Sequence, residues 1–142
     1  NFYPDVLLVL LANAPIVKKE WIIDCINILK RNKKATAVVP VKVNNDNHPL
    51  RAKKIYNGYL TNFMQNKNNV SSNRQDLENC YFLCHNFWLI RTKEIEKNIG
   101  HSPWNFMGKK VIPYKIKNSV DIHNRLDLDI VRLLINNDKK YL

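Results

Sequence analysis

Apolar residues run along this chain in two rhythms, separated by polar, Asn-rich stretches. The first run, Val6-Leu7-Leu8-Val9-Leu10-Leu11, is apolar at every position. A run without alternation predicts a strand buried on both faces of a parallel sheet. Ala12, Asn13, Ala14 and Pro15 end it in a turn. The rhythm then changes over residues 18–31. Trp21, Ile22, Cys25, Ile26 and Leu29 share one helical face, with Lys19, Glu20, Asp24 and Lys30 off it. A second strand is predicted over 35–43. Strand, turn, helix and strand make a βαβ unit, which is right-handed by strong preference. Ligands of such sheets bind at the carboxyl ends of strands, so the turn from Ala12 to Pro15 stands beside any site.

Residues 44–79 are polar and irregular. Within them Asn57-Gly58, between Lys54-Ile55-Tyr56 and Tyr59-Leu60-Thr61, is a hairpin signal. So long an excursion with its own hairpin predicts a functional or interaction arm. Residues 81–92, YFLCHNFWLIRT, predict one long apolar strand, and 93–98 a short helix. The aromatic loop 100–108 either covers a ligand or plugs the core under the sheet. Val111, Ile112, Tyr114 and Ile116 predict a last strand, broken by Asn118 and Ser119. Leu126, Ile130, Leu133 and Leu134 then recur at helical spacing.

Two places carry candidate chemistry. Asp121 and His123 lie between the last strand and the last helix. A carboxylate there can hold a metal, and the helix N-terminus beside it attracts anions, which together suit a nucleoside triphosphate. Equally, Asp121 or Asn124 caps the helix. The second place is His85-Asn86, a polar step inside an apolar strand. Either a backbone carbonyl satisfies a buried His85, or His85 or Asn86 faces a ligand.

Composition narrows the classes. A chain of 142 residues with 45% hydrophobic positions is long enough to bury a core and is not disordered. A net charge of +11 favours anionic partners such as nucleotides and acidic sugars. No nucleic-acid motif is present, and Lys and Arg are scattered along the sequence, so a basic nucleic-acid-binding module ranks last. Cys25, Cys80 and Cys84 are an odd set without framework or zinc spacing, which predicts reduced thiols in a cytoplasmic protein. The longest apolar run is far too short for a membrane span, and no signal peptide is evident. The chain opens abruptly and reads as a fragment. Its 3 glycines, at 58, 100 and 108, form no phosphate-cradling run.

Four blocks of the sequence resemble, in order, the acylneuraminate cytidylyltransferase (CMP-sialic acid synthetase) family. PDVLLVLLANAPI resembles its strand and Gln-Pro-Thr-Ser-Pro-Leu turn, with Leu11 at the glutamine, Asn13 within the turn and Pro15 at the last proline. His48-Pro49, Asn57-Gly58 and Ser72-Asn73-Arg74-Gln75-Asp76-Leu77 resemble its hP…dG…RQdLP insertion. Residues 81–88 take the place of its Tyr-…-Asn-Gly-Ala-Ile-Tyr strand, with His85 and Asn86 at the small residues. SVDIHNRLDLDIVRLL resembles its Asp-x-Asp signature, with Asp121 at the first aspartate and His123 at the second.

The resemblance implies an α/β three-layer sandwich of the nucleotide-diphospho-sugar transferase (Rossmann-like) type. Residues 1–142 would be one incomplete domain, truncated before the basic, glycine-containing phosphate loop, with 44–79 a protruding dimerisation and sugar-side arm. It implies a nucleotidyltransferase that joins CTP to an acidic nine-carbon, sialic acid-like sugar, giving CMP-sugar and pyrophosphate. Asp121 would be the catalytic metal ligand for Mg2+, with His123 tilting the site toward Mn2+, because imidazole suits softer ions. Asn13, Arg74, Gln75, His85 and Asn86 would contact substrate, Arg74 offering a planar fork to the sugar carboxylate. A homodimer is implied, and the 142 residues alone would be inactive. A non-catalytic remnant that keeps fold and arm is the alternative.

Overall fold

The computed structural model describes residues 3–65 and 69–137. The elements are β1 (Val6–Leu10), α1 (Lys19–Arg31), β2 (Ala37–Val43), β3 (Lys53–Tyr56), β4 (Tyr59–Asn62), β5 (Tyr81–Leu83), β6 (Phe87–Arg91), α2 (Thr92–Lys97), β7 (Val111–Lys115) and α3 (Arg125–Asn137). Single 3-10 turns lie at Pro49–Arg51, Arg74–Asp76 and Asn105–Met107. The chain divides into two compact units. One runs to Lys42 and resumes at Leu83; the other is Val43–Phe82.

In the first unit β6 lies between β1 and β2 and runs antiparallel to both, while β7 pairs β2 in parallel. β1, β2 and β7 therefore run the same way, and the sheet is mixed, where the apolar first strand had predicted a parallel one. β1 also differs from the expectation of burial on both faces. Among the described residues it pairs only with β6, and Leu7, Leu8 and Leu10 stay 40%, 38% and 59% exposed.

Alternation along the central strands separates two cores. Val38, Phe87 and Leu89 face α1 and meet Cys25 and Leu29. Ala37, Val39, Val41, Trp88 and Ile90 face the other way, toward Met107 and Ile95 of α2. The 100–108 loop thus closes a core: Trp104 and Phe106 pack on this second cluster. Each fully buried Phe or Ile contributes about 1.5–3 kcal/mol by leaving water. Arg91 fastens α1 to the sheet, donating from Nε to the Ala35 carbonyl at 2.8 Å and from an Nη to the Leu29 carbonyl at 2.9 Å.

The predicted strand over 81–92 is two strands with a break at Cys84, His85 and Asn86, and Thr92 already opens α2. The cause lies partly in β2. Pro40 has no N–H to offer a partner, and its carbonyl accepts the Cys84 N–H at 2.8 Å where the facing chain leaves the ladder. α3 forms as its spacing predicts but buries a different stripe. Val131 is 2% exposed, whereas Leu126 and Leu133 are 68% and 61% exposed.

In the second unit Asn57 (φ 50°) and Gly58 (φ 81°) both take left-handed angles, the requirement of a two-residue hairpin turn. They join β3 to β4, with Ile55 opposite Leu60 and Tyr56 opposite Tyr59. Residues 66–68 of the arm lie outside the described residues.

Candidate functional site

Three loops meet at the carboxyl ends of the parallel strands of the first unit, laced by hydrogen bonds. In the loop after β1 the Asn13 carbonyl accepts the N–H of Ile122, at 2.7 Å, from the loop after β7. The break between β5 and β6 gives the Asn86 Nδ2 to the Ile16 carbonyl at 2.7 Å. His85 Nδ1 pairs with Asp121 Oδ2. At the end of β2, Lys42 Nζ donates to the Ser119 carbonyl at 2.9 Å. Each bond joins segments far apart in sequence, so the loops hold one another in place.

Asp121 and His85 are part-buried, with side chains 20% and 31% exposed. An ionised carboxylate only accepts, so Nδ1 carries the proton and Nε2 of a neutral ring keeps a lone pair. The imidazole stands edge-on to Trp88, with centroids 5.6 Å apart, and 6.2 Å from Trp104. Cys84, next to His85 in the chain, is buried. Burial pushes its thiol up, the Ser119 bond and the Lys42 charge pull it down, and the Asp121 charge adds to the rise. A thiol held neutral is no nucleophile. Asn86 is fully buried, and its Oδ1 has no hydrogen-bond partner among the described residues.

His123 is held through its backbone. Its ring is exposed, and its N–H donates to Asp127 Oδ2 at 2.9 Å. The same carboxylate accepts from Asn124, while Asn124 Oδ1 accepts the Asp127 N–H at 3.0 Å. That reciprocal pair caps α3. Asn124 is therefore the cap and Asp121 is left for His85. Among the described residues no three His, Cys, Asp or Glu side chains gather as a metal cluster.

Arg74 and Gln75 belong to the second unit. They line a polar hollow of about 440 Å³ with Asn44, Asn45, Asp46 and Asn79. One Nη of Arg74 donates to both oxygens of Asp46, at 3.0 and 2.9 Å, so a carboxylate already engages the guanidinium. Asn45 fixes the hollow, accepting the Cys80 N–H at 2.9 Å.

Lys42 is a further candidate at this site, outside the residues that the motifs single out. The signal was present: it is the single charge in the otherwise apolar AVVPVKV of β2, at the carboxyl end where such sheets bind ligands. Asn13, expected among the substrate contacts, is tied into the site through its carbonyl.

No protein-family model matches the chain, and no curated protein matches it. Among solved structures it is similar to CMP:2-keto-3-deoxy-manno-octonic acid synthetase in complex with CTP. The TM-score is 0.60 at 10% identity, over 94% of this chain and 62% of that one. At that identity the likeness defines the fold alone: the chain shares the α/β fold of that synthetase, and it spans about three-fifths of the length of the synthetase it matches. Among the described residues no helix is long and apolar enough to cross a membrane.

Proposed function

We propose that this chain is part of an enzyme that joins CTP to an acidic sugar, giving a CMP-sugar and pyrophosphate. The observation that carries the proposal is the fold match to a synthetase solved with CTP, over 94% of the chain. The sequence motifs favour a nine-carbon, sialic acid-like sugar. The synthetase is named for another acidic sugar, so the acidic class is what the two lines of support share.

The chemistry asks for a cationic, ordered site. The sugar hydroxyl oxygen bonds to the α-phosphorus, the bond from that phosphorus to the bridging oxygen breaks, and pyrophosphate leaves. Position and electrostatic field do most of the work in such a transfer. Lys42, tethered at Ser119, brings positive charge to the carboxyl end of β2. His85, held through Nδ1, leaves Nε2 to accept the hydroxyl proton. A divalent cation, when bound, would screen the charge of the phosphates. Asp121 fits it as the one protein carboxylate, because magnesium usually keeps waters and phosphate oxygens as its other ligands. His123 would add a softer donor suited to manganese.

Two exposed apolar surfaces support a larger assembly. β1, paired on one edge alone among the described residues, exposes Leu7, Leu8 and Leu10 and is suited to receiving further strands. The hairpin leaves Ile55, Tyr56, Tyr59 and Leu60 at 77%, 64%, 76% and 75% exposure, suited to pairing with a second copy.

Calorimetric titration of CTP in magnesium and then in manganese tests the site, using the chain with the whole of its reading frame. Asp121→Asn should weaken metal-dependent CTP binding by about 10–100-fold. His123→Asp should strengthen it in magnesium by restoring a hard oxygen ligand. Unchanged affinity in both variants would leave Asp121 a structural partner of His85.

A further inference from the structure

The opposite end of the same sheet, where β2 and β7 begin, gathers cations that are scattered in the sequence. Arg31 ends α1, Lys33 and Lys34 form the turn before β2, Lys93 lies in the first turn of α2, and Lys109 and Lys110 lead into β7. All six are exposed. Their backbones are stapled together: the Thr36 N–H donates to the Lys110 carbonyl at 2.9 Å, and the Lys110 N–H to Thr36 Oγ1 at 3.0 Å. The Ala35 N–H closes the lysine turn on the Asn32 carbonyl at 3.0 Å.

Two hollows lie side by side here, of about 550 and 300 Å³, and they share Lys33, Lys34 and Lys110 as a common wall. Glu94, which lines the smaller hollow, is buried and paired with Lys97 at 3.0 Å, and Asp5 shares a third hollow with Lys33. Arg31 answers the negative end of the α1 dipole. The other five have no such role, and crowding like charges costs stability unless an anion answers them. Two or three donors satisfy one phosphate group. Six around paired hollows match a ligand with several phosphates in a row. A flat membrane face would need no hollows, and the rim offers Ile99 as its exposed large apolar side chain but no aromatic ring.

We propose that this end of the sheet binds the phosphodiester backbone of a nucleic acid, without regard to base sequence. The proposal uses none of the residues of the laced loops, so it stands or falls separately from the transferase chemistry.

Fluorescence anisotropy with labelled oligo-uridine and oligo-thymidine tests it as a function of salt. Removing four phosphate contacts from a single strand lowers the slope of log affinity against log salt by about 3. Lys33→Gln, Lys34→Gln, Lys109→Gln and Lys110→Gln in one chain should lower the slope by about that much. Lys19→Gln, Arg51→Gln, Lys53→Gln and Lys54→Gln remove the same charge elsewhere and should leave most of the slope. All eight side chains are exposed, so both variants should fold, which circular dichroism checks. Equal losses in the two variants would overturn the proposal, because net charge alone would then explain binding. So would the absence of binding at low salt, or binding to phosphatidylserine vesicles but not to oligonucleotides.

Discussion

Asp121 has two carboxylate oxygens, and His85 engages Oδ2. Aspartate at a strand-to-helix loop is ambiguous in sequence, because capping and ligand binding use the same side chain. Asn124 resolves the capping half by taking the helix end with Asp127. Asn124→Ala should therefore cost about 1 kcal/mol in urea denaturation. Asp121→Asn should leave the capping of α3 untouched. A larger loss from Asp121→Asn than from Asn124→Ala would show that the His85 pair holds the fold rather than a ligand. Tyr114 gives a pH signature. Burial, and then the Asp24 carboxylate that accepts its hydroxyl at 2.8 Å, push the phenol from 10.0 up to about 12. The folded chain then keeps this proton to higher pH than the unfolded chain does. Stability from this group is complete below pH 10, falls as pH rises, and is lost by about 12. Cys25, pushed by burial from 9.0 to about 12, adds a fall of the same sign. Tyr114→Phe should be less stable than the parent at neutral pH and should lose less between pH 10 and 12, as thermal melts would show.

At the scale of elements, periodicity carried most of the fold. The period of 3.6 located α1, and Asn57-Gly58 located the β3–β4 hairpin, because two left-handed residues in a row leave few other choices of residue. Partners were not legible. An all-apolar strand reads the same whether a second neighbour is present or not, so VLLVL could not announce that β1 has one described partner. The break at Cys84, His85 and Asn86 was hidden for a different reason: it answers to Pro40, far away in sequence. Lacing is likewise tertiary. The polar step His85-Asn86 marked a special place, yet only the fold shows Asn86 tied to Ile16 and His85 to Asp121. Gly108 was passed over as one of few glycines. It takes φ 75°, and a Cβ there would stand 2.7 Å from Thr36 Cβ. Gly108→Ala should cost about 1–3 kcal/mol in chemical denaturation, through backbone strain and that clash. A neutral result would mean that the loop and the strand start at Thr36 are less tightly joined than they look.

Across the whole molecule, large apolar side chains stand in water on β1, on the β3–β4 hairpin and on α3. Isolated hairpins are marginal, so a hairpin with four such residues calls for a partner. Sedimentation at micromolar concentration should show a dimer, and Tyr56→Lys with Leu60→Lys should return it to a monomer. A wild-type monomer would count against the arm. The fold spans 62% of a synthetase solved with CTP, and the sequence holds no glycine-rich phosphate cradle. Cytidylyl transfer by the 142 residues alone is therefore not expected. The most direct test is release of pyrophosphate from CTP with magnesium and either a sialic acid or 2-keto-3-deoxy-manno-octonic acid. It uses protein made from the complete reading frame that contains these residues, beside its Asp121→Asn variant. The account predicts pyrophosphate and CMP-sugar from the wild type, and a rate lower by about 10–100-fold in the variant. No turnover by the wild type with either sugar, or equal turnover by the two proteins, would contradict it.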